Sequence, residues 1–455
     1  MKPIIRILSL AVAVLLLSAV LPTAAFAVSF ENEVKTYSDS ILMVNIDTGM
    51  EVFSKDPDSQ RYPAGLTKVM TYIIAAEYFD DFSTRIPIKQ SIVDDMIAEG
   101  MSCSGLDWHI GENMTVTDIL YALMVPVGHD AAMVLADYIG DGDISVFVDM
   151  MNAKAKQLGC NDTHFMNPTG VHHRDHYSTA RDLYRMTMYA IGLPMFSKIC
   201  GTATHYMEGD DYPLVTTNYM IDVARGGDYF YTYATGLKNS TTDEAGRCLI
   251  ATARLDEDGY SYICICLHAP YNYERDIYEQ YCMIEAANLF RWAFLNLTYV
   301  TPVTKDTPIC EQKIDHAWDT DSILLVPESD LNIVLPDTYS EADVTIVPDS
   351  TDPVSAPINK GDFVTTATVY YKGQSFMSIN LLAQESVSVS PMLYVTDAVR
   401  SVLTSPWFLL AVALIVVLFV VYVTISSSYA KKKRGGRSRT RSKNRSDRTS
   451  RPGRG

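Results

Sequence analysis

An α+β domain followed by a small all-β domain is what the chain predicts, on three observations. Apolar stripes at helical spacing mark the first two hundred residues, three strand-like runs follow between Tyr229 and Leu267, and after residue 300 short β-type runs are broken by Pro, Gly and Asp. Helices first and an antiparallel meander afterwards fit one layered domain ending near residue 298.

Taken in order, Asp39 to Phe53 reads as a hairpin, two apolar runs around Asp47-Thr48-Gly49. Leu66, Val69, Met70, Ile73 and Ile74 fall at i, i+3, i+4, i+7 and i+8, a helical stripe that packs inward, while Gly65 and Lys68 share another face one turn apart. A Gly in the first turn weakens a helix by about 1 kcal/mol relative to Ala, so propensity does not explain it. Thr115 and Asp118 form a capping-box pattern ahead of a helix that Pro126 ends, and a second helix runs from Asp130 to Ile139. Asn167-Pro168-Thr169-Gly170 is a turn signal, and His176 to Asp182 enters another helix. Tyr229–Lys238, Arg247–Leu255 and Tyr260–Leu267 read as strands, and Ile277–Phe294 as a helix. Runs at 323–326, 331–335, 344–347, 363–371 and 375–382 make the all-β domain.

The ends of the chain carry targeting signals. Lys2 and Arg6, an apolar run from Ile7 to Leu21 and Ala25-Phe26-Ala27 read as a secretory signal over residues 1–27, so the domains at 28–298 and 299–396 are expected outside the cell. A linker at 397–406 leads to Trp407–Ile425, 19 uncharged residues or about 28 Å of helix, which matches the hydrocarbon thickness of a bilayer. Lys431-Lys432-Lys433-Arg434 follows, and positive charge beside a span marks the cytoplasmic side, so residues 426–455 form a basic tail inside. Twelve of the 37 basic side chains but one of the 54 acidic ones lie after residue 430. The exported part is therefore strongly acidic, which excludes nucleic acid as its partner, whereas the tail's first four basic residues are explained as a stop-transfer and orientation signal and the other eight are suited to anionic lipid or, alternatively, nucleic acid.

Eight cysteines without a C-x-x-C pair in so large an exported part make neither a disulfide framework nor a zinc site. One or two disulfides stay open and no pairing is indicated, while Cys264 and Cys266 share a face of one strand as small hydrophobes. His172, His173 and His176 lack H-E-x-x-H spacing, so no metal is expected, and no cofactor.

Several segments carry a resemblance: Tyr62-Pro63-Ala64-x-Leu66-Thr67-Lys68-x-Met70-Thr71, Pro126-x-Gly128-x-Asp130-Ala131-Ala132, Asn167-Pro168-x-Gly170 with His176 to Asp182, Gly236-Leu237-Lys238 with Thr242 to Gly246, and Ala356-Pro357-Ile358-x-Lys360-Gly361. In this order they resemble the penicillin-binding D-alanyl-D-alanine carboxypeptidases, serine peptidases that trim peptidoglycan stem peptides. The resemblance implies a β-lactamase-like or DD-peptidase-like fold, an antiparallel sheet flanked by helices, and then the all-β domain that follows the peptidase in that family. It also implies three motifs, S-x-x-K, S-x-N and K-T-G, that supply nucleophile and base, relay hydroxyl and amide, and a grip on the substrate carboxylate.

The chain departs from all three. Gly65-Leu66-Thr67-Lys68 keeps the lysine without the nucleophile, Val127-Gly128-His129 replaces hydroxyl and amide, and Lys238-Asn239-Ser240 keeps only its lysine, with a serine side chain that crowds the substrate. Loss of a serine nucleophile alone costs on the order of a millionfold in turnover. Thr67 lies about 200° around the helix from position 65, and Ser240 falls on the far wall of the cleft with no base within one turn. The chain is therefore expected to be an inactive, membrane-anchored homologue whose cleft binds a peptidoglycan stem peptide, or whose surface binds a cell-wall enzyme. Lys238, Lys68 and His129 are the expected contacts, giving local positive charge, with His129 either titrating near neutral pH or standing as a satisfied polar residue of the cleft. A working carboxypeptidase with atypical motifs, and a structural or signalling protein acting through span and tail, are the alternatives.

Overall fold

The structure, a computed structural model, describes residues 30, 32–255, 259–271 and 278–441. The signal segment 1–27 and the end of the basic tail, 442–455, lie outside the described residues. The chain divides into two compact units, one of Met1–Lys305, Ser329–Asp349 and Thr366–Ile379, the other of Asp306–Glu328, Ser350–Thr365 and Asn380–Gly455.

The first unit is built on strands β1 (Ser40–Asn45), β2 (Glu51–Lys55), β3 (Ala234–Thr242), β4 (Gly246–Arg254) and β5 (Ser261–Ala269), with helices α1 (Lys68–Tyr78), α2 (Val116–Met124), α3 (His129–Ile139), α4 (Ala180–Ile191) and α5 (Tyr281–Asn296). The strands form one sheet in the order β2-β1-β5-β4-β3, each pair antiparallel, so β3 is an edge. Period-2 alternation splits the sheet between two cores. Leu42, Val44, Ile250, Ile263 and Ile265 face the core that holds Leu66, Val69, Met70 and Ile73. Ile41, Met43, Leu249, Ala251, Cys264 and Cys266 face the core that holds Met283, Leu289 and Phe290 of α5. Because helices cover both faces, these strands are apolar at nearly every position, and each buried Leu or Ile stabilises the sandwich by about 1.5–3 kcal/mol. Leu297–Val300 paired with Ile333–Pro336, and Val344–Pro348 paired with Ala367–Tyr371, complete this unit.

Local chemistry starts the helices where the pattern predicts. The Thr115 hydroxyl accepts from Asp118 N–H (3.1 Å) at α2, and the Thr179 hydroxyl from Asp182 N–H (3.0 Å) at α4. Gly128 precedes α3 at φ 71°, and a Cβ there would lie 2.4 Å from the Leu123 carbonyl oxygen, so the tight α2–α3 turn requires glycine. One strand is displaced from the sequence expectation: β3 begins at Ala234, and Gly227–Tyr229 is a 3-10 turn. The alternating tyrosines that mimic a strand are packing residues, Tyr231 stacking on Phe290 at 6.2 Å. Lys238 consequently sits mid-strand.

In the second unit Cys310–Asp315 pairs with Ser322–Pro327, Leu325–Pro327 with Leu381–Ala383, and Ile314–Asp315 runs parallel to Val354–Ser355. The segment expected as a linker is helical over Pro391–Thr404, capped by Ser390 with Pro391 at the first position. A second helix, Pro406–Arg441, follows, of which Pro406–Ser428 is long and apolar enough to cross a membrane, with its large side chains exposed. All eight cysteines are free thiols, and the sulfurs of Cys264 and Cys266 lie 3.7 Å apart on one face of β5.

Candidate active site

A cavity of about 610 Å³ opens between the start of α1, the α2–α3 turn, the Asn167–Gly170 turn and edge strand β3. Gly65, Val127, His129, Lys238, Asn239 and Ser240 all line it, so residues from three distant motifs meet in one place.

A short 3-10 turn, Ala64–Thr67, leads into α1, and its three-residue repeat sets Gly65 directly one turn before Lys68. The turn Asn167-Pro168-Thr169-Gly170 closes over this start. Lys68 Nζ donates to Thr169 O (2.5 Å), Thr71 Oγ1 to Pro168 O (2.7 Å), and the Gly170 N–H to Asn167 Oδ1 (2.7 Å). Gly170, at φ 81°, comes so close that a Cβ on it would lie 2.0 Å from Ala64 O. Lys68 is 1% exposed and lies behind the cavity wall. Burial, then the charge of Lys238, hold its ammonium well below the usual lysine range.

Gly65 has ordinary backbone geometry, so its conformation does not demand glycine; its neighbours do. A Cβ at position 65 would lie 2.8 Å from Ser240 Oγ, 3.2 Å from Ser240 Cβ and 3.3 Å from Lys68 Nζ. The Ser240 hydroxyl reaches across from β3 and accepts the Gly65 N–H at 2.8 Å. It stands where a side chain of residue 65 would stand, although the far-wall position of Ser240 predicted no such reach. Relative to the motifs it resembles, the chain has exchanged serine and glycine between the two walls.

The second motif is equally altered in space. Val127 is 43% exposed on the rim, and His129 faces the cavity with a buried Nδ1 that has no hydrogen-bond partner among the described residues. Burial, then Lys68 and Lys238, push the His129 pKa down to about 3, so it is a neutral imidazole at pH 7. The near-neutral titration expected from sequence is corrected by this desolvated, cationic setting, and so is the expected positive charge of His129. Asp130 is fully buried, and its carboxylate accepts the N–H groups of Ser104 (2.6 Å), Leu106 (3.1 Å) and Ala131 (2.9 Å), tying the α2–α3 turn to the Ser104–Leu106 loop.

Lys238, 2% exposed, donates to Met124 O (3.0 Å) and to Pro126 O, which leaves one of its three hydrogens for the cavity. Burial lowers its pKa to about 8, so it remains largely cationic at neutral pH. Asn239 Oδ1 accepts the Thr217 hydroxyl at 2.7 Å. A cation that no motif signalled also lines the cavity: Arg247 on β4, held by Gln280 Oε1 (2.7 Å) and Tyr278 O (2.6 Å) and 4.9 Å from the Tyr271 ring centre. Only the pairing of β4 with β3 brings it there, so its sequence signal was a strand start and nothing more. The three histidines disperse. His172 lines the cavity against Tyr62, His173 is at the surface, and His176 is buried beneath, with Nε2 2.8 Å from the Thr67 hydroxyl.

Comparisons place this geometry among known proteins. The family model described as D-alanyl-D-alanine carboxypeptidase matches residues 27–270, and that of the penicillin-binding protein 5 C-terminal domain matches 298–389. The D-alanyl-D-alanine carboxypeptidase DacF of Bacillus subtilis is 32% identical over 226 residues, which cover 49% of this chain and 56% of the relative. The carboxypeptidase DacA of Haemophilus influenzae is 25% identical over 391 residues, 82% of this chain and 92% of the relative. The crystal structure of penicillin binding protein 5 from Haemophilus influenzae superposes with a TM-score of 0.65 at 23% identity, covering 79% of this chain and all of that one, a likeness of fold. With a family model that spans more than half of its length, the chain belongs to the D-alanyl-D-alanine carboxypeptidase family.

Proposed function

We propose that this protein is a membrane-anchored family member that no longer transfers acyl groups and uses its cleft to bind peptidoglycan peptides ending in D-Ala-D-Ala. The observation that carries the reading is the Ser240 hydroxyl in the space of the residue-65 side chain, on the Gly65 N–H at 2.8 Å. A nucleophile needs a base within hydrogen-bond reach, and among the described residues the Lys68 amine hydrogen-bonds to Thr169 O and not to the Ser240 hydroxyl, which sits on the Gly65 N–H. Binding asks for less: a partly hydrogen-bonded Lys238 and the nearby Arg247 supply the positive wall that a terminal carboxylate needs. The apolar helix Pro406–Ser428 acts as the anchor, with the basic tail on the cytoplasmic side near anionic lipid.

Calorimetry of the full chain in detergent with diacetyl-L-Lys-D-Ala-D-Ala tests this. Binding is expected at pH 7, weakening as pH rises through about 8 because the cationic form of Lys238 binds the carboxylate. Lys238→Met is expected to cost about 30-fold in affinity, the lower end for removing one partner of a buried charged pair. Absence of binding, or indifference to Lys238→Met, would contradict the reading.

One observation favours a second reading. A serine hydroxyl does stand in the nucleophile's space, so Ser240 is the residue that an active enzyme of this kind would use.

A further inference from the structure

A second cavity, of about 310 Å³, adjoins the first across the Pro126–Val127 peptide: Pro126 lines this one and Val127 the other. Its chemistry is of opposite sign. Asp107 and Asp210 contribute carboxylates and Cys103 a thiol, and among the described residues no Lys or Arg forms an ion pair with either carboxylate. Asp210 meets His109 Nε2 at 3.0 Å, whereas Asp107 has neither hydrogen-bond nor ion-pair partner among the described residues. Cys103, Asp107 and the buried Asp130 bring their acceptor atoms within 4.8 Å of one another. Burial, then the charges of Asp130 and Asp107, push the Cys103 thiol up to about 11.

Two large aromatic rings stand at the mouth. Trp108 is 65% exposed and Tyr212 71% exposed, with ring centres 6.1 Å apart at 72°. Exposed aromatic faces beside the one carboxylate of this pocket that is unpaired among the described residues, Asp107, are the setting that attracts an organic cation, through the ring quadrupole and through charge. An alkylammonium offers three donors, which a carboxylate and a neighbouring acceptor can take. The wall is also rigid: the Gly128 N–H donates to Ser104 Oγ (2.8 Å), and Asp130 holds Ser104 and Leu106, so this pocket and the Lys238 cavity are fixed to one turn.

We propose that the pocket at Asp107, Trp108 and Tyr212 is a subsite for a primary ammonium group on the side chain of the peptide whose terminal carboxylate meets Lys238. The peptide part of this assignment rests on the binding function proposed above; the ammonium part rests on the pocket alone. A ligand spanning the Pro126–Val127 ridge would place opposite charges in the two cavities.

Two measurements on the full chain separate these parts. Nα-acetyl-L-Lys-D-Ala-D-Ala, with a free ε-amine, is expected to bind about tenfold more tightly than its Nε-acetylated form at low salt, from one charge-assisted contact and the aromatic faces. Asp107→Asn, which changes a half-buried side chain without changing its size, is expected to bring that ratio to about one. Equal affinity for both peptides in the unaltered protein would overturn the subsite. If neither peptide binds, the cleft reading fails and the pocket is judged by pentane-1,5-diamine alone. The diamine is expected to change the fluorescence of Trp108, identified by loss of the signal in Trp108→Phe, and to lose its effect in Asp107→Asn. No diamine response, or a response that requires added zinc and vanishes with EDTA, would overturn the proposal.

Discussion

Gly65→Ser alone is expected to leave the protein inert toward penicillin and to destabilise it by about 1–2 kcal/mol, and Ser240→Gly in the same chain is expected to recover that loss. The Ser240 hydroxyl, 2.8 Å from the new Cβ, can rotate away only by giving up the Gly65 N–H, a hydrogen bond worth about 1 kcal/mol. The Ser240 Cβ, 3.2 Å away, cannot rotate at all, and Lys68 Nζ at 3.3 Å closes the third side. Ser240→Gly alone loses the same hydrogen bond and weakens an edge strand, so each single change costs while the pair compensates. Urea denaturation of the four proteins checks this, with a coupling of about 1 kcal/mol or more expected between the two positions. Additive effects would mean that the walls are independent.

Asp130→Ala is expected to be the more destabilising change, by about 3 kcal/mol. The carboxylate is fully buried and takes three backbone N–H groups from two segments, so alanine leaves three donors without partners in a dry place. Burial raises the Asp130 pKa despite those donors, so desolvation of the carboxylate already outweighs their help, which keeps the expected cost near the value for one or two lost donors. Asp130→Asn keeps one acceptor oxygen and is expected to cost about half as much. A lower urea midpoint with unchanged slope is the readout, and a midpoint within error of the unaltered protein would contradict the role. Both cavities hang on this residue, because it holds the α2–α3 turn that carries Pro126, Val127 and His129 against the loop that carries Cys103 and Asp107.

What the sequence reveals and what it hides follows from range. The stripe from Leu66 to Ile74, the Thr115 and Thr179 caps and the strands of the meander are local patterns, each readable within a few residues. Tyr231 and its neighbours misled because alternation records burial on two sides and does not say whether a strand or a packed turn provides it. The three degenerate motifs were legible by order, and the structure does bring Gly65, Val127, His129, Lys238, Asn239 and Ser240 to one cavity. That Ser240 fills the place of a residue 175 positions earlier was not legible, since it depends on the register of β3 against the start of α1. Arg247 was hidden for the same reason, and so was the presence of both Asp107 and Asp210 in the lining of one pocket. The charge state of His129 is not legible in the sequence because an imidazole's proton affinity is set by what surrounds it, here burial and then two lysines from other segments.

The central claim is that serine and glycine have changed places across the cleft and that acyl transfer was lost with the exchange. Its most direct test is labelled penicillin with the full, folded chain, followed by denaturation and electrophoresis. No label is expected to remain bound; a covalent adduct that survives denaturation, at Ser240 or at any other cleft residue, would contradict it.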